Sequence, residues 1–156
     1  MKLKIFALVS LLASALANAE TNLKPTIFES KFDFQQTVET LETGFKDKGM
    51  TIFTKIDHQA AAKAAGLEMQ PATVIIYGTP KAGTPLMVKD PTLALQLPLK
   101  VLVTEPTKGK VEVMLHKAEQ VVAHSNTPYS AVENSLAKAE KLIEANRCQI
   151  TFPINK

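Results

Sequence analysis

Apolar and polar positions along this chain repeat with two different periods, and the switches between the periods mark its elements. Residues 26–31 form the first run with strand character. Asp33 then stands where an N-cap is needed, with Gln36 three residues on, a capping-box pattern. Phe34, Val38, Leu41 and Phe45 follow at spacings of four, three and four, which places them on one face of a helix. Lys46 and Lys48 sit where the helix dipole favours cations, and Gly49 supplies a stop. Residues 51–57 (TIFTKID) are a β-rich run, and Asp57 is placed to cap a short Ala-rich helix over 59–65, closed by Gly66.

Residues 72–78 (ATVIIYG) are the most apolar of the strand candidates in the chain. Their unbroken run predicts a central strand, buried on both faces or nearly so. Pro80 and Gly83 make 79–84 a loop, and 85–97 is expected to take one or two short helical turns. Residues 99–105 and 110–116 both alternate, and the turn at 106–109 between them makes a hairpin. Thr127-Pro128 and the box Ser130-x-x-Glu133 open a last helix, with Val132, Leu136, Ala139 and Ile143 as its apolar stripe. Two long amphipathic helices against an antiparallel or mixed sheet make an α+β, two-layer domain.

The N-terminus changes the picture of where this domain works. Lys2 and Lys4 form a basic segment, 5–16 is apolar, and Ala17-Asn18-Ala19 is a small-x-small cleavage site. These are the three parts of a secretory signal, and the apolar segment is shorter than the roughly 20 residues a spanning helix needs. Residues 1–19 are therefore read as a signal peptide, and 20–156 as one mature domain beginning at Glu20, periplasmic or secreted, with no membrane association after cleavage. The chain's formal charge of +3 falls to +1 once Lys2 and Lys4 leave with the signal. No dense Lys/Arg block remains, which argues against nucleic acid as a partner. Cys148 is the one cysteine, so an internal disulfide is excluded and the residue is read as a small buried apolar side chain.

Candidate chemistry is sparse. Gly78 to Thr84 (GTPKAGT) has a phosphate-loop flavour, but Lys81 is misplaced for that motif and Pro80 removes a backbone donor. Asp57-His58 lies at a strand-to-helix junction, where unpaired N–H groups suit an anion; capping alone also accounts for Asp57. His116 and His124 lack the companions that a zinc or copper site requires, so no metal and no cofactor is assigned. Tyr77, at the end of the apolar strand, and the segment Leu97-Pro98-Leu99 are the remaining candidates. Gly78 permits close approach, Pro80 stiffens the turn, and Lys81 offers a cation from it.

Four motifs then occur in order. They are Lys48-Gly49, Ile56-Asp57-His58 followed by alanines, Tyr77-Gly78-Thr79-Pro80-Lys81, and residues 97–103 (LPLKVLV). Over 32–113 the chain thereby resembles the DUF302 family, small domains of unassigned biochemical role. Thr79 stands where the family pattern has Asn. The resemblance implies a TATA-box-binding-protein-like topology, β-α-β(4)-α, with a curved, mostly antiparallel sheet packed against two main helices. It also implies homodimers.

Three readings follow. In the first, the chain is an exported, non-catalytic ligand-binding or interaction domain, with Tyr77, Gly78, Thr79, Pro80 and Lys81 as the binding segment and Asp57-His58 completing it. In the second it is an enzyme that uses Asp57, His58, Tyr77 and Lys81 in one acid–base pocket, which requires them within hydrogen-bond reach. In the third it is a structural partner module that docks a protein through an exposed strand edge or helix face.

Overall fold

A computed structural model describes residues 24–145 and the backbone of Ile150 and Thr151. The segment 1–19 that reads as a signal, and Cys148, lie outside the described residues.

The chain runs β1 (Thr26–Ser30), α1 (Phe34–Asp47), β2 (Thr51–Asp57), α2 (His58–Ala64), β3 (Ala72–Gly78) and α3 (Pro80–Lys89). A 3-10 turn (Pro91–Leu95) leads into β4 (Leu99–Thr107) and β5 (Lys110–Leu115). Then come α4 (Ala118–Val122), a 3-10 turn (Tyr129–Ala131), α5 (Leu136–Ala145) and the two-residue β6 (Ile150–Thr151). The strands form one sheet in the order β2-β3-β4-β5-β1-β6, antiparallel at every pairing. The fold is α+β, with five main strands and a short sixth.

Helix α1 starts and stops as its sequence dictates. Asp33 Oδ1 accepts from the Gln36 N–H at 2.8 Å, which satisfies one donor left open by the first turn. At the other end the Met50 N–H reaches back to the Phe45 carbonyl and the Gly49 N–H to that of Lys46, both at 2.9 Å. This is a Schellman closure, and Gly49 holds the left-handed position it requires, at φ +69°. Val38, Leu41 and Phe45 are buried, with Phe34 packed at the margin. Phe45 stacks on Tyr77 of β3, ring centroids 3.9 Å apart and planes 10° from parallel.

The sheet sorts its side chains by parity. Ile75, Tyr77, Leu99, Val101, Val103, Val111, Val113, Leu115 and Phe28 face the helices and form the core with α1, α4 and α5. The intervening positions point the other way. This refines the expectation for β3: the strand lies inside the sheet, with Ala72, Thr73, Ile75 and Tyr77 buried, yet Val74 and Ile76, on the face away from the helices, are only half-covered. An unbroken apolar run therefore serves two different surfaces here.

Other expectations also shift. Residues 79–84 are not a loop. Pro80 occupies the first helical position, where a missing N–H costs nothing, and α3 runs on through Gly83 and Pro85. The last helix begins at Leu136, after a 3-10 turn, rather than at the Ser130 box. Its stripe is nonetheless buried: Val132, Leu136, Ala139 and Ile143 are each 7% exposed or less. Helix α4 and strand β6 had no counterpart in the sequence reading.

Phe45→Ala would remove the ring against which Tyr77 lies. A loss of about 3–5 kcal/mol is expected for truncating a buried Phe, read as a lower urea midpoint.

Candidate functional site

The end of β3 opens into a cavity of about 240 Å³. Gly78, Thr79 and Pro80 form its rim where β3 becomes α3, and Ala82, Gly83, Thr84 and Met87 of α3 form one wall. The segment Leu97-Pro98-Leu99 forms a second wall, and Leu136 and Ala139 of α5 a third. Met50, delivered by the closure of α1, and Phe53 of β2 complete it. A bulge between Ile52 and Thr54 shifts the register of β2 beside Phe53, whose ring edge lies 3.6 Å from where a Cβ on Gly78 would sit. Only Thr79, Thr84 and Ser135 bring polar side chains to the lining. The Ser135 hydroxyl donates to the Val132 carbonyl at 3.2 Å.

Helix α3 covers the cavity and is a weak helix by composition, with Gly83 and Pro85 inside it. It has no fully buried residue. What holds its far end is Asp90. That carboxylate, 7% exposed, accepts from the Thr92 N–H and hydroxyl, from the Asn126 N–H at 2.8 Å and from the Thr127 hydroxyl at 2.9 Å. It thus ties the exit of α3 to the connection between α4 and α5. The Thr92 hydroxyl, aided by the Thr127 hydroxyl and two backbone N–H groups, holds the Asp90 carboxyl below its ordinary range against the opposing effect of burial.

The sequence-predicted residues separate into two groups. Gly78, Thr79 and Pro80 line the cavity, and Leu97-Pro98-Leu99 with them. Tyr77 does not: it is 2% exposed, part of the core beneath, and burial and then the nearby Glu140 carboxylate push its phenol pKa upward. Lys81 is exposed on α3 and is not among the lining residues. Asp57 and His58 lie at the opposite end of the sheet. Asp57 pairs with Thr73 while Gly78 pairs with Thr51, so the two sites are five β3 residues apart, roughly 17 Å at strand rise. Asp57 accepts from the Ala60 N–H at 2.9 Å and caps α2, and His58 is exposed. The acid–base constellation is not assembled, since proton transfer needs direct or one-water contact. The phosphate-loop likeness dissolves too: the Ala82 and Gly83 N–H groups both bond to the Thr79 carbonyl, at 2.9 and 3.0 Å.

Sequence reasoning missed Met50, Phe53, Met87, Leu136 and Ala139. Each reads as an ordinary core position of its own element, and only the tertiary fold turns them toward one space. His116 and His124 share a second hollow, about 230 Å³, with Lys100 and Gln96. Among the described residues no three His, Cys, Asp or Glu side chains are grouped to hold a metal, and no helix is long and apolar enough to cross a membrane.

The model of the family described as "Domain of unknown function DUF302" matches residues 26–146. The chain belongs to the DUF302 family. Among solved structures, an uncharacterized conserved DUF302 protein from Bacillus stearothermophilus aligns with a TM-score of 0.68 at 20% identity, covering 80% of this chain and 98% of that one. At that identity the likeness concerns the fold, and it is the fold that the sequence motifs implied. A protein of Brucella suis named fluoride-specific ion channel FluC 1 is 42% identical over 83 residues, 53% of this chain and 33% of its own length. A Brucella melitensis protein named fluoride-specific ion channel FluC 2 is likewise 42% identical over 83 residues, 31% of its length. The DUF302 chain thus spans about a third of these curated relatives.

The Asp90 linkage sets a pH dependence. Its carboxyl pKa is lower folded than unfolded, so its contribution is full above the unfolded value of about 4 and fades as pH falls through the folded value. Asp90→Asn should lower the melting temperature at pH 7, and the gap from the parent should narrow below about pH 4. A gap that stays constant across a differential scanning calorimetry series from pH 7 to pH 3 would refute the linkage.

Proposed function

We propose that this DUF302 domain is an exported, non-catalytic, homodimeric binding protein whose ligand is a small, largely apolar molecule held at the end of β3. The observation that carries this reading is the cavity itself, about 240 Å³, bounded by apolar side chains with hydroxyls at only three positions. For scale, an apolar cavity of about 150 Å³ binds benzene. The volume here suits one ring with short substituents or a medium-length alkyl segment. Thr79, Thr84 and Ser135 would then orient a single polar end of the ligand, in keeping with pockets that are mostly apolar with a few placed polar groups.

The absence of a convergent acid–base set among the described residues supports binding rather than turnover. The signal-like N-terminus supports export, and Edman sequencing of the mature protein is expected to begin at Glu20. The Brucella relatives support a modular role, since their matched segment is one part of a longer chain. Their named activity is a property of those proteins.

Gly83 provides the test. A Cβ there would sit 3.8 Å from Leu97 Cδ1 and 3.9 Å from Met87 Cε, ordinary contact distances. Gly83→Ala therefore fits, and is expected to stabilise the fold by about 0.5–1 kcal/mol through helix propensity. Gly83→Leu carries further carbons into the cavity. p-Cresol, one ring with a methyl group and a hydroxyl, is expected to bind the parent in isothermal titration calorimetry and to lose at least tenfold in affinity with Gly83→Leu, while Lys81→Ala leaves affinity unchanged. Equal binding to parent and Gly83→Leu, both folded by circular dichroism, would refute the assignment.

A further inference from the structure

The face of the sheet turned away from the helices carries an apolar row that crosses five strands. Ile56 pairs with Val74, Val74 with Leu102, Leu102 with Met114, and Met114 with Ile27. None of these five belongs to the core or to the side chains packed against it. The two at the ends are the most open, Ile56 at 40% and Ile27 at 36% exposed. Single exposed apolar residues are ordinary, but a register-aligned row spanning a sheet is a surface suited to a partner.

The charges beside the row are sorted by sign. One step along the strands toward the cavity end stands Lys100, opposite Ile76, and His116 shares a hollow with it. One step the other way stand Glu112 and Glu29, directly opposite each other. Like charges facing across a strand pair repel. Neither carboxylate has an ion-pair partner among the described residues.

We infer that a second copy of this chain covers this face, related by a two-fold axis that runs along the apolar row. Such an axis lays the row of one copy on the same row of the other, Leu102 over Leu102, as an isologous interface requires. It also reverses the strand direction, so the Lys100 flank of each copy meets the Glu112–Glu29 flank of its partner, twice. The strands remain aligned, the usual arrangement of two packed sheets about 10 Å apart. An axis along β4 would instead set Lys100 against Lys100 and lay Glu112 and Glu29 over the partner's β3 and β2, away from either Lys100. Charge therefore selects between two packings that bury the same apolar row. This inference rests on the homodimer reading above and adds the surface and the symmetry.

Sedimentation velocity at micromolar concentration tests both levels separately. The parent is expected to be dimeric; a monomer would overturn the homodimer reading and this interface with it. Leu102→Lys, at the centre of the row, is expected to be monomeric with an unchanged circular dichroism spectrum. A folded Leu102→Lys protein that stays dimeric would overturn the interface while leaving the homodimer intact. Should Leu102→Lys unfold, the charge series decides alone, since its positions are at the surface. Lys100→Glu is expected to weaken the dimer roughly tenfold or more, and adding Glu29→Lys and Glu112→Lys to it to restore parental affinity within about threefold. A triple variant as weak as Lys100→Glu would overturn the axis.

Discussion

Tyr77 lying flat on Phe45 is the contact on which the rest of this structure depends. It joins the strand that ends at the cavity to the helix whose closure delivers Met50 into it. Both rings are fully enclosed, so the contact combines apolar burial with a fixed geometry between helix and sheet. Beyond Tyr77 the chain turns over the sheet end at Thr79 and Pro80 and runs on as α3. The cavity is the space left between that turn and α5. Tyr77 is thus the floor on which a site is built, and a phenol whose ionisation burial suppresses contributes shape there rather than proton chemistry.

Helix α3 is where foldability and the cavity conflict. Ten residues that include two prolines and a glycine make a poor helix, and better formers would be stabilising at several positions. Gly83 is the clearest case, because a methyl group there meets only ordinary contacts yet would take up part of the cavity. The segment stays ordered because its far end is fastened. Asp90 gathers four donors from two separate stretches of chain into one carboxylate, a local network that offsets weak intrinsic propensity. A wall held at its end by such an anchor, with no fully buried residue of its own, has the low local stability expected of elements that admit ligands.

The legible parts of the sequence were those governed by local rules. The spacing of Phe34, Val38, Leu41 and Phe45, the cap at Asp33 and the stop at Gly49 each rest on neighbours within a turn or two, and the structure reproduces them. The strands read from alternation or β-rich runs came within a residue or two of their bounds for the same reason. The motif order of the family added the topology. The errors cluster where one residue type has two meanings. Pro80 and Pro85 signalled a loop, but a proline at the first helical position is a start signal, and the anchored context carries the chain past the second. The apolar run of β3 signalled burial on both faces or nearly so, whereas Val74 and Ile76 are only half-covered. The rim of the site was visible at Gly78 to Pro80. Its walls were not, because Met50, Phe53 and Leu136 converge through contacts between elements far apart in sequence.

The two surfaces of β3 bear on each other through the sheet. Gly78 and Phe53 stand at the cavity end, and Phe53 is 49% exposed although it lines the cavity. A two-fold axis along the apolar row brings the opposite end of the partner's sheet, where β2 passes into α2, over this same end. An exposed ring at the mouth of an apolar cavity is costly to leave in water and easy to cover in such an assembly. The bulge in β2 beside Phe53 has the same sense, since bulges re-aim a side chain next to a site. In that arrangement each copy would shield the mouth of the other's cavity, and dimerisation and ligand binding would draw on one continuous stretch of apolar surface. The two would then be coupled in proportion to how much of Phe53 each covers, and by linkage a ligand that draws the ring inward would strengthen or weaken the dimer by the factor the dimer returns to the ligand.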